Sequence, residues 1–134
     1  MVAMAMVAAV RAAELADHPY AWVITRDRDH ELGGVGKSSV GVAGPSGASD
    51  DLVERARTEG RPFRLCDEGD LDEAAVDAGK VVDPAEWGVV YEGRIWTQDE
   101  PGTDSDFGPL VDYGDPHHGC TEIRYRKDGR WLAL

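Results

Sequence analysis

The stretch GGVGKSS, residues 33–39, decides between two folds. Read as a phosphate-binding loop, it announces a parallel α/β sheet and a bound nucleotide. Read as a hairpin tip, it belongs to an antiparallel sheet. A phosphate loop has the form G-x-x-x-x-G-K-[ST], which lets its backbone N–H groups curl around the phosphates. Gly36, Lys37 and Ser38 match its end, but the leading glycine falls at Glu31. The variant loop of partition-type ATPases asks for a lysine where Leu32 stands. The loop must also enter a helix at once, with the helix N-terminus facing the phosphates. Here SSVGVAGPSG follows, residues 38–47. Its three glycines and one proline would cost a helix about 6 kcal/mol relative to alanine. Asp29 and Glu31 would also repel phosphate. Nucleotide binding is therefore not expected, and Gly33 to Lys37 read as the mobile tip of a hairpin.

Outward from that tip, the flanks read as strands. Residues 20–26, YAWVITR, are aromatic and β-branched, and residues 38–43, SSVGVA, alternate. DRDHE, between the first strand and the tip, reads as loop. Ser49 before DDLVERARTEG has the form of a helix cap, with Asp50 and Asp51 in the first turn and Gly60 as the stop. RPFRLCD, 61–67, is a third strand. Residues 68–86 are acidic and partly helical in LDEAAVDAG, and Pro84 closes them. WGVVYEGRIWT, 87–97, exceeds strict alternation and reads as a central strand. Residues 98–119 read as a long loop. TEIRYRKDGRWLAL is a hairpin with Asp128-Gly129 at its turn. The expected fold is α+β: a mostly antiparallel sheet of five or six strands with one or two packed helices. It forms a single domain over 19–134, with an acidic insertion at about 68–86. An alanine-rich helical extension is expected over residues 1–18, ahead of Pro19; it is too short to span a membrane and lacks the charged start of a secretory signal.

The charge is uneven. The chain has 26 acids against 14 lysines and arginines, a net charge of −12. Residues 67–86 hold eight acids and one lysine, and 99–116 hold six acids and no base, so the two segments carry −13 and the rest +1. Direct nucleic-acid binding and attachment to anionic membranes need clustered bases and are not expected. A basic protein surface is the expected partner. In an antiparallel layout both acidic segments are expected at one end of the sheet.

Other constellations are weaker. Asp99, Glu100, Asp104, Asp106, Asp112 and Asp115 suggest calcium, but Asp104-Ser105-Asp106-Phe107-Gly108 lacks the EF-hand spacing. His117, His118 and Cys120 with Asp115 suggest a metal or a cysteine nucleophile, yet no second ligand pair with zinc spacing exists. No G-x-S-x-G elbow is present. Cys66 and Cys120 form no C-x-x-C motif and read as free thiols of a cytoplasmic protein, with a single bridge between them left open. Trp22, Trp96 and Trp131 lie on expected strands and read as core; Trp87, at a loop end, reads as an exposed contact residue.

VGVAGPSGAS, RPFRLCD, VVYEGRIW and DFGPLVDYGDPHHGCTEIRYR together resemble a group of small uncharacterised proteins common in actinomycete genomes and their mobile elements. That group shows a V-G-x-x-G-P-x-G-A turn, an F-R-x-x-D hairpin, a Y-x-G-R strand and an F-x-P-L-x-D-[FY]-G-x-P-x-x-G-C-T-x-I segment. The resemblance spans about residues 20–134 and implies no activity. It implies that the third and fourth strands are ordinarily joined by a short D-G turn, so that 68–86 is an addition.

The expected function is that of a small acidic, non-catalytic protein-binding module without cofactor or metal. Its expected contact residues are Asp67, Glu68, Asp70, Asp72, Glu73, Asp77, Trp87, Asp99, Glu100, Asp104 and Asp106. A narrower form is a DNA-mimicking inhibitor from a mobile element. The alternative is a metal- or cysteine-dependent enzyme centred on Asp115, His117, His118 and Cys120.

Overall fold

The computed structural model describes residues 19–34 and 36–134. Along them run β1 (Tyr20–Asp27), a single turn α1 (Arg28–Glu31), β2 (Ala43–Gly44), α2 (Asp50–Glu59), β3 (Arg61–Cys66), α3 (Asp70–Asp77) and β4 (Val89–Thr97). A helical stretch from Asp104 then ends in α4 (Asp115–His118), and β5 (Glu122–Lys127) and β6 (Arg130–Ala133) close the chain. The strands form one sheet in the order β2-β1-β4-β3-β5-β6, antiparallel throughout. This is the α+β fold expected, with β4 in the interior of the sheet. The alanine-rich helix expected over 1–18 lies outside the described residues.

Cross-strand partners share a face, so register sorts the core. Tyr20, Trp22, Ile24, Phe63, Leu65, Tyr91, Ile95, Ile123 and Tyr125 line the first face and pack with Leu110 and Tyr113 of the helical stretch above it. Ala21 and Val23 line the second face and pack under Leu52 and Ala56 of α2. Ser49 caps α2 through its Oγ, which accepts from the Leu52 N–H at 3.3 Å. Beyond α2 the second face carries charge instead of helix. Arg26 binds Glu31, Glu86 and Glu92; Arg64 binds Glu92 at 2.8 Å, and its guanidinium lies 4.1 Å from the centre of the Trp131 ring. Trp22 is core as expected, whereas Trp96 and Trp131 are half-buried under arginines.

Three readings change. The strand expected at 38–43 shrinks to Ala43–Gly44, with Gly41 and Val42 adding one backbone bond each to Ile24. Gly41 has φ +92°, and Pro45, without an N–H, stops the ladder. DRDHE is not irregular: Asp27 accepts from the His30 N–H at 3.0 Å and caps the turn α1. Residues 98–119 are not a structureless loop. They include helical turns over Asp104–Phe107, Leu110–Gly114 and α4, in which Pro116 sits in the first turn and Gly119, at φ +72°, ends the run.

Candidate functional site

The acidic segment 67–86 is fastened from within. Gly69, at φ +99°, turns the chain into α3, and there Asp72 faces inward with no exposed surface. Its Oδ1 lies 2.5 Å from Arg28 Nη1, and its Oδ2 accepts from the Gly88 N–H at 2.6 Å. The same Arg28 Nη1 donates to the carbonyls of Glu86 and Val89 at 3.2 and 3.1 Å. One buried guanidinium thus ties α1 to the start and the end of the segment 67–86. Trp87 lies over Gly69, where an added Cβ would come 2.6 Å from its indole nitrogen.

What this frame leaves outside is acidic. Glu68, Asp70, Glu73 and Asp77 are exposed, and none of them has an ion-pair partner among the described residues. Asp67 is half-buried, its Oδ2 lying 3.8 Å from His118 Nδ1. Trp87 is 43% exposed beside them. Between α3 and α4 lies a cavity of about 50 Å³ lined by Asp67, Asp70, Leu71, Asp72, Val90 and His118. That volume suits water-sized occupants, well below the several hundred Å³ of a metabolite pocket. Asp72 is therefore a correction to the expected contact set: it anchors the surface from within and does not belong to it.

Asp106 is the second correction. It is 3% exposed, its carboxylate lies 2.5 Å from Arg61 Nη2, and it accepts from the Gly102 N–H at 2.7 Å. Asp112 is structural as well, accepting from Tyr20 Oη at 2.7 Å and Trp22 Nε1 at 3.0 Å. Asp99 takes the Ser105 hydroxyl at 3.1 Å, while Glu100 and Asp104 are exposed. Nor do the two acidic segments lie together at one end of the sheet: they start at opposite ends, and only Asp115, at the close of the second, comes back to the Asp67 end, where both flank Cys120. Arg61 pairs with Ile95 and Cys66 with Val89, so Asp67 follows the strands at one end and Asp99 at the other. At 3.3 Å per residue the nine residues of β4 hold them about 30 Å apart.

The histidine and cysteine group does not assemble a nucleophile and base. His117 faces outward and stacks on Tyr113 with ring centres 4.4 Å apart; His118 turns the other way, edge-on to Tyr91. Cys120 is 1% exposed, and burial pushes its thiol up to about 12. Asp115 is exposed. Cys66 and Cys120 are both free and buried. Among the described residues no three His, Cys, Asp or Glu side chains converge where a metal ion could be held.

The hairpin tip fares no better as a phosphate site. The Ser39 N–H, which a phosphate loop would turn to its ligand, donates to Asp27 Oδ2 at 2.7 Å, and the Ser39 hydroxyl meets Tyr113 Oη at 2.6 Å. A carboxylate occupies the place of the anion. Comparison of the chain with protein-family models, with curated proteins and with solved structures finds no significant match.

Proposed function

We propose that this chain is a non-catalytic protein-binding module whose insertion, residues 67–86, engages a basic protein surface. One observation carries the reading: Asp70, Glu73 and Asp77 on α3, and Glu68 just ahead of it, are exposed and lack ion-pair partners among the described residues, and the buried Arg28–Asp72 pair holds that helix in place. Unpaired charge on a fixed frame steers a charged partner and loses little freedom on contact. Trp87 supplies an amphipathic ring at the edge of that surface.

Asp99, Glu100 and Asp104 form a second, smaller acidic site at the far end of the sheet. That division supports a compact contact more than the continuous charged track of a DNA mimic, which is the narrower form of the same proposal. Kinship with the small actinomycete proteins belongs to this reading too, with the insertion as the chain's own addition. The module is proposed to work in the cytoplasm without direct nucleic-acid or membrane contact. No helix among the described residues is long and apolar enough to cross a membrane.

The test is capture from a cell extract on the immobilised full chain at about 50 mM and about 300 mM salt, where the screening length differs roughly twofold. A basic protein held at low salt, released at the higher salt and lost from the Glu68→Gln/Asp70→Asn/Glu73→Gln/Asp77→Asn variant is the expected result. A partner indifferent to both changes refutes the proposal.

A further inference from the structure

β6 pairs with β5 alone, so its far side is an edge of the sheet. The Leu134 N–H donates to the Ile123 carbonyl at 3.1 Å. Bonds alternate along an antiparallel ladder, so Arg130 and Leu132 turn to β5 in the same way. Trp131 and Ala133 therefore point their N–H and C=O groups outward, where none of the four has a partner among the described residues. The opposite edge is closed differently: β2 is two residues long and Pro45 follows it. β6 has no proline and no register shift, and its only charge, Arg130, stands beside the turn.

The side chains around this edge define what pairs with it. Leu132 is 49% exposed and lies opposite Tyr125, which packs on the core, so the apolar first face runs out to the edge. Arg126, Lys127 and Arg130 are exposed and lack ion-pair partners among the described residues. Residues 123–134 hold four bases and one acid, so they carry +3 in a chain of −12. An added strand gains main-chain hydrogen bonds from an open edge, and the side chains on either face select its sequence. A second copy of β6 would bring the same cations to the contact, whereas an acidic strand complements them. We infer that the β6 edge takes an extended acidic segment of another protein as a seventh strand, with an apolar side chain beside Leu132 and carboxylates toward Arg126, Lys127 and Arg130. None of residues 67–86 takes part, so the inference stands whether or not that segment binds a basic partner.

Panning the immobilised full chain against a random peptide library on phage tests it. The enriched sequences are expected to alternate apolar and polar residues and to carry Asp or Glu at one end. A synthetic peptide of the enriched sequence should protect the Trp131 and Ala133 amides from hydrogen exchange. Ala133→Pro removes an outward donor and spares the bonds to β5, so it should abolish binding. Arg126→Gln/Lys127→Gln/Arg130→Gln should weaken binding about tenfold. N-methylation of alternate peptide residues decides even where a variant fails to fold: one phase of the alternation should abolish binding and the other should spare it. No enrichment, or enrichment without acids, overturns the inference. So does binding that leaves Trp131 and Ala133 unprotected, that the triple variant leaves unchanged, or that both methylation phases affect alike. Protection of these two amides in the free chain shows an edge already covered, and protection that grows with protein concentration assigns it to a second copy; either overturns the inference.

Discussion

Arg28 Nη1 lies 2.5 Å from Asp72 Oδ1, with 6% and 0% of the two side chains exposed. Taking two charges out of water is costly, and their attraction repays that only when the remaining donors and acceptors are also met. Here the Gly88 N–H meets Asp72 Oδ2 and the carbonyls of Glu86 and Val89 meet Arg28 Nη1, while Asp72 Oδ1 has the Arg28 charge and no hydrogen bond. Removing one partner leaves an unpaired charge without water. Asp72→Ala is expected to destabilise by about 3–5 kcal/mol, read by urea unfolding. Arg28→Met/Asp72→Leu should recover most of that loss. If Asp72→Ala costs no more than an exposed change such as Asp77→Ala, the segment 67–86 is not anchored as described.

The two thiols give a chemical readout. Burial pushes both Cys66 and Cys120 up to about 12, the neighbouring Asp67 adding to the effect at Cys120. At neutral pH the thiolate, which is the nucleophile, then amounts to roughly one part in 100,000. Neither cysteine of the folded chain should react appreciably with iodoacetamide at neutral pH, and both should react once urea unfolds it. Stoichiometric alkylation of native Cys120 would restore the enzyme reading centred on Asp115, His117 and His118.

Glu92 carries the acid side of the pH response. Burial alone would raise its carboxyl, but hydrogen bonds from Arg64 and Arg26 outweigh that and hold it below the usual 4.5. A carboxyl lowered by folding contributes stability above its unfolded value and loses it as the pH falls through the folded one. Glu92→Gln should therefore cost stability at neutral pH, and the gap to the unmodified chain should narrow by about pH 3. Paired urea titrations at the two pH values check this; a gap of equal size at both would remove the Arg26–Glu92–Arg64 link from the account.

Local chemistry was legible in the sequence and long-range pairing was not. Ser49 before two aspartates signals a cap, and the capped helix is there. Asp128-Gly129 signals a tight turn, and both residues take positive φ, +52° and +77°. Within α3, by contrast, nothing local separates inward Asp72 from outward Asp70 and Glu73, because the distinction is made by Arg28 on a different element. Asp106 and Asp112 were hidden for the same reason, their donors being Arg61, Tyr20 and Trp22. Prolines and glycines in residues 98–119 read as breakers, yet Pro116 and Gly119 mark the start and the end of a helical turn.

Gly93 ties the sequence pattern to the packing of the core. It stands on β4 opposite Phe63 on one side and Ile24 on the other, and it carries no side chain in a run of large ones. A Cβ there would meet the Phe63 ring and the Val23 carbonyl. The ring can shift; the carbonyl belongs to the ladder and cannot. Gly93→Ala is thus expected to destabilise by about 1–3 kcal/mol, as overpacking of a dense core does. Phe63→Leu relieves the ring half of the clash, so Gly93→Ala/Phe63→Leu should cost less than the two single changes together, by at least about 0.5 kcal/mol. Additive losses in urea unfolding would mean that Phe63 does not occupy the space above Gly93.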